Sequence, residues 1–225
     1  MSRALIVGRG RMGRLVESLS ADYGFEVAGC IDRAAASREA DWAAADVAID
    51  FSIADAVPAN LRRLAARGIN VVIGTTGWQS HEEALRADAA VRTIGVVAAP
   101  NFAPGVHIFL ALAERAGTLM AAQESFGAWI HEAHHATKRD APSGTALALE
   151  AALRRGRYTR PVNIASTRAG LIPGTHTLGF DAAAETLTFT HETRDRSVFA
   201  RGALEAARWV IGRRGWFTMR DVLGL

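Results

Sequence analysis

The chain has 225 residues, of which 49% are apolar and 22% charged, with a formal net charge of +3. That balance fits a soluble globular enzyme and supplies a sizeable core, as one large domain or two small ones. The arginines are dispersed, with only Arg213-Arg214 as a pair, so no basic patch marks a nucleic-acid binder, and no apolar run approaches the roughly 18 residues of a membrane span.

The N-terminus enters a strand pattern within three residues, with no signal-peptide pattern before it. Cys30 is the only cysteine, so an intrachain disulfide is impossible; the expected compartment is the reducing cytoplasm. The runs 4–7, 26–31, 47–49, 70–73 and 93–98 read as buried strands, with helical spacing over 12–23 and 53–67. Near-continuous apolar strands separated by helices imply an α/β fold, a Rossmann-type doubly wound parallel sheet covered on both faces. After Pro100-Asn101 the pattern changes. Pro104 opens a helix to about Met120, residues 125–133 alternate like a strand, and helices follow at 144–155 and 198–212. Leu187, Phe189 and His191 alternate with Thr186, Thr188, Thr190 and Glu192, a period of two that indicates a mainly antiparallel sheet. The expected organisation is a dinucleotide-binding domain, 1–101 with 206–225, and a smaller α+β domain, 102–205, for substrate binding and oligomerisation.

Gly8-Arg9-Gly10-Arg11-Met12-Gly13 follows the first strand and opens the first helix. There the glycines permit a tight turn, close approach of a pyrophosphate and close packing of helix on sheet. Asp32, 19 positions after Gly13, ends the second strand where a ribose-binding carboxylate is expected. A carboxylate favours the free 2′-hydroxyl of NADH, whereas Arg33, with Arg9 or Arg11, can face the 2′-phosphate of NADPH, so dual use is expected. Gly74-Thr75-Thr76-Gly77 and Ala99-Pro100-Asn101-Phe102 end the fourth and fifth strands, where ligands of open α/β sheets bind. Gly74, Thr75, Thr76, Ala99, Pro100, Asn101 and Phe102 are therefore expected beside the ribose and nicotinamide.

The segment from Glu132 to Thr145 places His134, His135 and Lys138 before a helix start expected at Ser143. Imidazole and ammonium groups can move protons near neutral pH. Ser143 suits an N-cap, and the amides of Gly144 and Thr145 behind it can meet an anion at the positive end of the helix dipole. An anionic ligand also favours the imidazolium form of a nearby histidine. His131, His134, His135 and Glu132 are candidate metal ligands by composition. On a strand, however, His131 points away from Glu132 and His134, and neither an HExxH spacing nor cysteine ligands are present, so no metal is expected. Nothing around Ser143 marks a nucleophile elbow.

With Gly-Arg-Met-Gly at 10–13, Gly-Thr-Thr-Gly at 74–77, Asn-Phe at 101–102, Glu-Ala-His-His at 132–135, Lys138, Asp-Ala-Pro-Ser-Gly-Thr-Ala at 140–146, Arg-Ala-Gly at 168–170, Gly-Thr-His-Thr at 174–177 and Met-Arg-Asp-Val-Leu at 219–223, the chain resembles the 4-hydroxy-tetrahydrodipicolinate reductase (dihydrodipicolinate reductase) family over essentially its whole length. The resemblance implies reduction of a small, cyclic, unsaturated dicarboxylate by NADH or NADPH in the diaminopimelate route to lysine, with hydride added at ring C4 and a proton at the neighbouring carbon. It implies His134 as catalytic proton carrier, Lys138 as second proton donor, and His135 as a substrate contact. Ser143, Gly144 and Thr145 would bind the substrate, the Gly144 and Thr145 backbone holding a carboxylate, and Asp32 and Arg33 would select the cofactor. It also implies a homotetramer joined through the sheets of the second domain. The glycine loop is one residue shorter than the common family form, and Ala136 and Thr137 replace larger basic residues. Two rivals remain: another Rossmann dehydrogenase of an amino or oxo acid, with no special use for Lys138 and Ser143-Gly144-Thr145, and a non-catalytic nucleotide sensor, which predicts damage to the reacting block.

Overall fold

The computed structural model describes residues 1–35, 38 and 42–225. They divide into two compact units, Met1–Pro104 with Ser197–Leu225, and Gly105–Arg196.

The first unit holds strands β1 (Ser2–Val7), β2 (Phe25–Ile31), β3 (Val47–Asp50), β4 (Asn70–Ile73), β5 (Gly95–Ala98) and β10 (Gly215–Phe217), and helices α1 (Arg11–Leu19), α2 (Val57–Ala66), α3 (Glu82–Arg92), α6 (Ser197–Val210) and α7 (Met219–Leu223). The sheet is parallel throughout, in the order β10-β5-β4-β3-β1-β2. Alternate residues feed two cores. Leu5, Val7, Val71 and Ile73 pack with Leu61, Leu64 and Leu85 of α2 and α3. Ala4, Ile6, Ile49 and Val72 pack with Val16 of α1 and with Ala203, Leu204 and Ala207 of α6. Burial on both faces is why these strands read as unbroken apolar runs. Each buried Leu, Ile or Val contributes about 1.5–3 kcal/mol.

Two boundaries differ from the sequence reading. A break at 205 falls inside α6, yet the whole helix packs on the first sheet, with Ala200, Ala203 and Leu204 as buried as Ala207. Phe102 also lies in the first unit's core. The chain therefore leaves this unit after Pro104 and rejoins it at Ser197. The strand β10 and the helices α3 and α7 were not read from the sequence.

The second unit contains α4 (Pro104–Met120, from Gly105 onward), β6 (Gly127–His134), α5 (Gly144–Arg155), β7 (Val162–Arg168), β8 (Thr175–Asp181) and β9 (Thr186–Glu192). Its sheet runs β7-β6-β8-β9; β6 and β7 are parallel, and the other pairs are antiparallel. One face carries Ile130, Leu178 and Phe180 against Phe109 and Ala113 of α4 and Leu149 and Leu153 of α5. At the end of α5, a Cβ on Gly156 would lie 2.2 Å from the Glu114 carbonyl oxygen, so only glycine lets this end abut α4. The opposite face is largely polar, with the Thr177 and Thr190 hydroxyls 3.0 Å apart and His131 bonded to Thr167 at 2.9 Å. Among the described residues, no helix is long and apolar enough to cross a membrane.

Candidate active site

The three loop glycines have separate jobs. Gly8 turns the chain out of β1 with φ +91°, and a Cβ there would lie 2.4 Å from the Phe51 carbonyl oxygen. Gly13 sits in the first turn of α1, where a Cβ would fall 1.9 Å from the Gly8 carbonyl oxygen. Gly10, the N-cap, faces open space: no described atom lies within 4 Å of its ideal Cβ position. The helix start has no side-chain cap and no acid in its first turn, so its amides and dipole remain available to a pyrophosphate. A cleft of about 410 Å³, lined by Gly8, Arg9, Gly10, Asp32, Arg33 and Ser52 among others, opens beyond β1, β2 and β3. That is the topological switch point of the sheet, and the volume is in the range of ligand pockets. These features fit a dinucleotide.

The Asp32 Oδ1 accepts from the amides of Ala34 and Ala35, each at 2.9 Å. Those bonds, the Ala35 amide foremost, hold the carboxyl below the usual range and keep it ionised at the exposed rim. Arg33 and Arg11 are exposed, Arg9 lies 3.5 Å from Glu17, and the Met12 side chain packs toward the core.

The next two loops depart from expectation. Thr75 is buried, its hydroxyl donating to Asp50 Oδ1 at 3.0 Å, its amide to the Asp50 carbonyl at 3.2 Å, and its carbonyl accepting from Trp78 Nε1 at 2.7 Å. Asp50 also accepts from Asn60 Nδ2 at 2.9 Å and the Ser52 amide at 2.8 Å. Thr75 therefore holds the strand ends together, its hydroxyl hydrogen committed to Asp50. Gly74 is required because a Cβ would lie 2.1 Å from the Phe51 ring. Phe102 is core, edge-on to Phe51 at 6.2 Å, and Ala99 is buried with its amide bonded to the Ile73 carbonyl at 3.2 Å. The Phe102 and Ala99 side chains belong to the core and do not line the cleft. Thr76 and Pro100 are exposed at the surface, and the Asn101 Oδ1 accepts from the Ala103 amide at 2.8 Å.

In the second unit, β6 delivers Glu132 and His134 to one face and His131 to the other, as strand parity requires. Glu132 is fully buried. Arg168 grips it in a fork, Nη1 donating to Oε2 at 2.9 Å and Nη2 to Oε1 at 2.7 Å. His134 Nδ1 lies 2.5 Å from the same Oε2, and the Ser143 amide donates to Oε1 at 3.2 Å. Burial works against ionisation of Glu132. The bonds from Arg168, Ser166, His134 and the Ser143 amide outweigh it and leave the carboxyl at about 2. For His134, burial leads; it outweighs the pull of Glu132 and is aided by Lys138 and Arg168, so the imidazole sits below its usual pKa and is neutral at pH 7.

Ser143 caps α5, its Oγ accepting from the Ala146 amide at 3.2 Å and bonded to His176 Nε2 at 3.0 Å. Beyond its chain neighbours and its own helix backbone, no described atom lies within 4 Å of the ideal Cβ position on Gly144, so the amides opening α5 can be approached. His176 packs edge-on to His134 at 5.0 Å and is pushed down to about 4, by burial first and His134 second. Lys138 Nζ donates to both oxygens of exposed Asp140, at 2.7 and 2.8 Å, and His135 Nδ1 lies 2.8 Å from the Thr137 hydroxyl. Glu132, His134 and His176 could converge on a cation by position. Both Glu132 oxygens already accept from Arg168, and a guanidinium there opposes a second positive charge, so the donor set does not suit a metal.

Family models for dihydrodipicolinate reductase match the chain end to end, the N-terminal model over 2–102 and the C-terminal model over 105–223. The chain belongs to the dihydrodipicolinate reductase family. Among curated relatives, the 4-hydroxy-tetrahydrodipicolinate reductase of Acidiphilium cryptum is 44% identical, covering 96% of this chain and 94% of its own. The enzyme of that name from Thiobacillus denitrificans is 38% identical, covering 99% and 98%. A dipicolinate-bound dihydrodipicolinate reductase from Paenisporosarcina sp. TG-14 shares the fold with a TM-score of 0.78, at 22% identity over 98% of both chains. Against this family frame, the residues that sequence reasoning missed are Arg168, His176 and the positioning side of Glu132. Arg168 and His176 stand in motifs that carry the resemblance, but nothing local shows that they meet Glu132 and Ser143.

Proposed function

We infer that the protein reduces 4-hydroxy-tetrahydrodipicolinate to tetrahydrodipicolinate with NADH or NADPH, in the diaminopimelate route to lysine. The observation that carries this reading, beside family membership, is that one buried carboxylate bonds both His134 and the Ser143 amide. It sets a proton carrier beside a helix start able to receive an anion. One water leaves, and one hydride and one proton enter, at C4 and at the neighbouring carbon. The bound dihydronicotinamide supplies the hydride. Gly144 and Thr145 offer amides to one substrate carboxylate, and His134 moves the proton through Nε2. His135 opens the turn that carries Lys138, its carbonyl accepting from the Lys138 amide at 3.1 Å, and is proposed as a further substrate contact. The rival dehydrogenase reading leaves this arrangement unused, and a sensor would not need it intact.

Lys138 is proposed to exchange its Asp140 contact for a substrate carboxylate. Asp140 is 58% exposed, so water can take the released aspartate. A charge-assisted hydrogen bond is worth about 1.5–3 kcal/mol, and roughly 1.4 kcal/mol is tenfold in affinity. Lys138→Ala should therefore weaken binding of pyridine-2,6-dicarboxylate about tenfold or more, read by calorimetry in the presence of NADH. Equal affinity in both proteins would remove Lys138 from the substrate site.

For the cofactor, ionised Asp32 suits the ribose hydroxyls of NADH and exposed Arg33 the 2′-phosphate of NADPH, and we propose that both are used. We also propose a homotetramer joined through the polar sheet face that carries Trp129, Thr177 and Thr190. Light scattering at micromolar concentration should give four times the chain mass; a monomer would contradict this assembly.

A further inference from the structure

We propose that Glu132, clamped by Arg168, is the positioning residue of the proton-transfer step: it fixes the Nδ1–H tautomer of His134 and leaves Nε2 bare for the substrate. The inference rests on the reading of His134 as the proton carrier and adds what makes the ring competent.

A fully buried glutamate on a strand needs a reason. A buried ion pair is weak support for stability, because well-packed apolar residues do as well or better in its place. Here each Glu132 oxygen accepts from Arg168, and each has a second partner, His134 for Oε2 and the Ser143 amide for Oε1. The arrangement is directional. An ionised carboxylate has no hydrogen to give, so the hydrogen in the 2.5 Å contact with His134 belongs to Nδ1. A neutral ring then carries its lone pair on Nε2. Gly174 keeps that nitrogen from being crowded: its φ of +148° is a glycine conformation, and a Cβ would press within 3.2 Å of His134 Nε2. Arg168 supplies the clamp. Its Nη2 also donates to the Asp140 carbonyl at 2.5 Å, fixing the guanidinium that fixes the carboxylate.

The charged and titratable groups facing His134 come from every neighbouring element. Glu132 lies on its own strand, Lys138 on the following turn, Arg168 on β7 and His176 on β8. Of these only Glu132 favours the imidazolium. Removing its charge leaves three neighbours that oppose protonation or are neutral. Glu132 thus has two effects on one ring, the choice of tautomer and support for the positive charge when the proton arrives.

Glu132→Gln separates these effects from mere packing. The amide has one oxygen to place. At the Oε1 position it satisfies both Arg168 Nη2 and the Ser143 amide, which puts the NH2 group toward His134. That NH2 donates to Nδ1, so the ring's hydrogen moves to Nε2. The same kind of tautomer error disables triads whose orienting carboxylate becomes an amide.

The test uses the whole protein, labelled with 15N in histidine, with His134 assigned by the signal lost in His134→Gln. Imidazole 15N shifts in the wild type should report the Nδ1–H tautomer; in Glu132→Gln they should report Nε2–H, with titration at lower pH. Turnover of Glu132→Gln should fall about a hundredfold in kcat with KM within about twofold, because acid–base catalysis is worth about 10²–10⁴-fold. Should the unpaired Arg168 prevent folding, E132Q/R168M removes both charges and gives the same readouts. A wild-type Nε2–H tautomer, or a variant that keeps Nδ1–H and its titration while His134→Gln loses turnover, would overturn the role of Glu132 alone. A switched tautomer with unchanged turnover would overturn His134 as proton carrier, and the positioning role with it.

Discussion

His134→Gln is expected to lower kcat by about 10²–10⁴-fold, the usual worth of a positioned acid or base, with little change in KM. Glutamine keeps a polar side chain in the space but cannot carry a proton between states. The pH dependence gives a second signature. Delivery of a proton needs the imidazolium, so activity is full below the pKa of His134 and is lost as pH rises through it. In the free protein burial holds that pKa below 6.5, and kcat/KM should bend there. A bound dicarboxylate brings negative charge and raises it, so the bend in kcat should lie at higher pH than the bend in kcat/KM. Steady-state profiles of the two proteins check both points. A variant with wild-type kcat, or with the same alkaline limb, would take His134 out of the chemistry.

Gly13→Ala is expected to destabilise the first unit. Its Cβ would lie 1.9 Å from the Gly8 carbonyl oxygen, backbone that cannot swing away as a side chain can. The helix α1 must lift from the end of β1, and overpacking of this kind costs about 1–3 kcal/mol. In a protein of this size each kcal/mol moves a melting midpoint by roughly 2–4 °C. Gly10→Ala is the control. No described atom lies near its Cβ position, and its φ of −77° suits any residue, so stability should hold. The new methyl lies at the cleft proposed for the pyrophosphate, and KM for NADH should rise. Thermal melts and cofactor titrations of the two variants separate the jobs. A Gly13→Ala protein that melts with the wild type would show that the loop relaxes freely.

The parts of the molecule legible in the sequence are those whose signal is local. Strands β1, β3, β4 and β5 declared themselves because both of their faces are buried, the half-buried edge strand β2 through its apolar run 27–31, and the glycine loop because strand, turn and helix are contiguous. Helix α3 did not, since only Leu85 and Ala89 of its eleven residues are buried and the apolar stripe is too thin to read. Strand β10 is three half-buried residues at the sheet edge, and α7 is five residues whose capping box, Thr218 with Asp221, is a short signal. The reacting end divides the same way. His134, Lys138 and Ser143 stand within one segment and were legible as a block. Arg168 lies 36 positions from Glu132 and reaches it through the parallel β6–β7 register, which pairs His134 with Arg168. His176 arrives through the antiparallel register that sets it opposite Glu132. Register depends on long-range packing, which periodicity along one segment does not encode. For the same reason Thr75 and Phe102 read as cofactor contacts from their place at strand ends, while their burial, set by Asp50 and Phe51 on a neighbouring strand end, was out of view.

The most direct measurement follows NADH and NADPH oxidation at 340 nm, with the substrate made in situ by the preceding synthase from pyruvate and aspartate semialdehyde. Oxidation should depend on the synthase, proceed with both cofactors and collapse in His134→Gln. A protein that binds NADH yet oxidises neither cofactor when the synthase is running would contradict the proposed reaction.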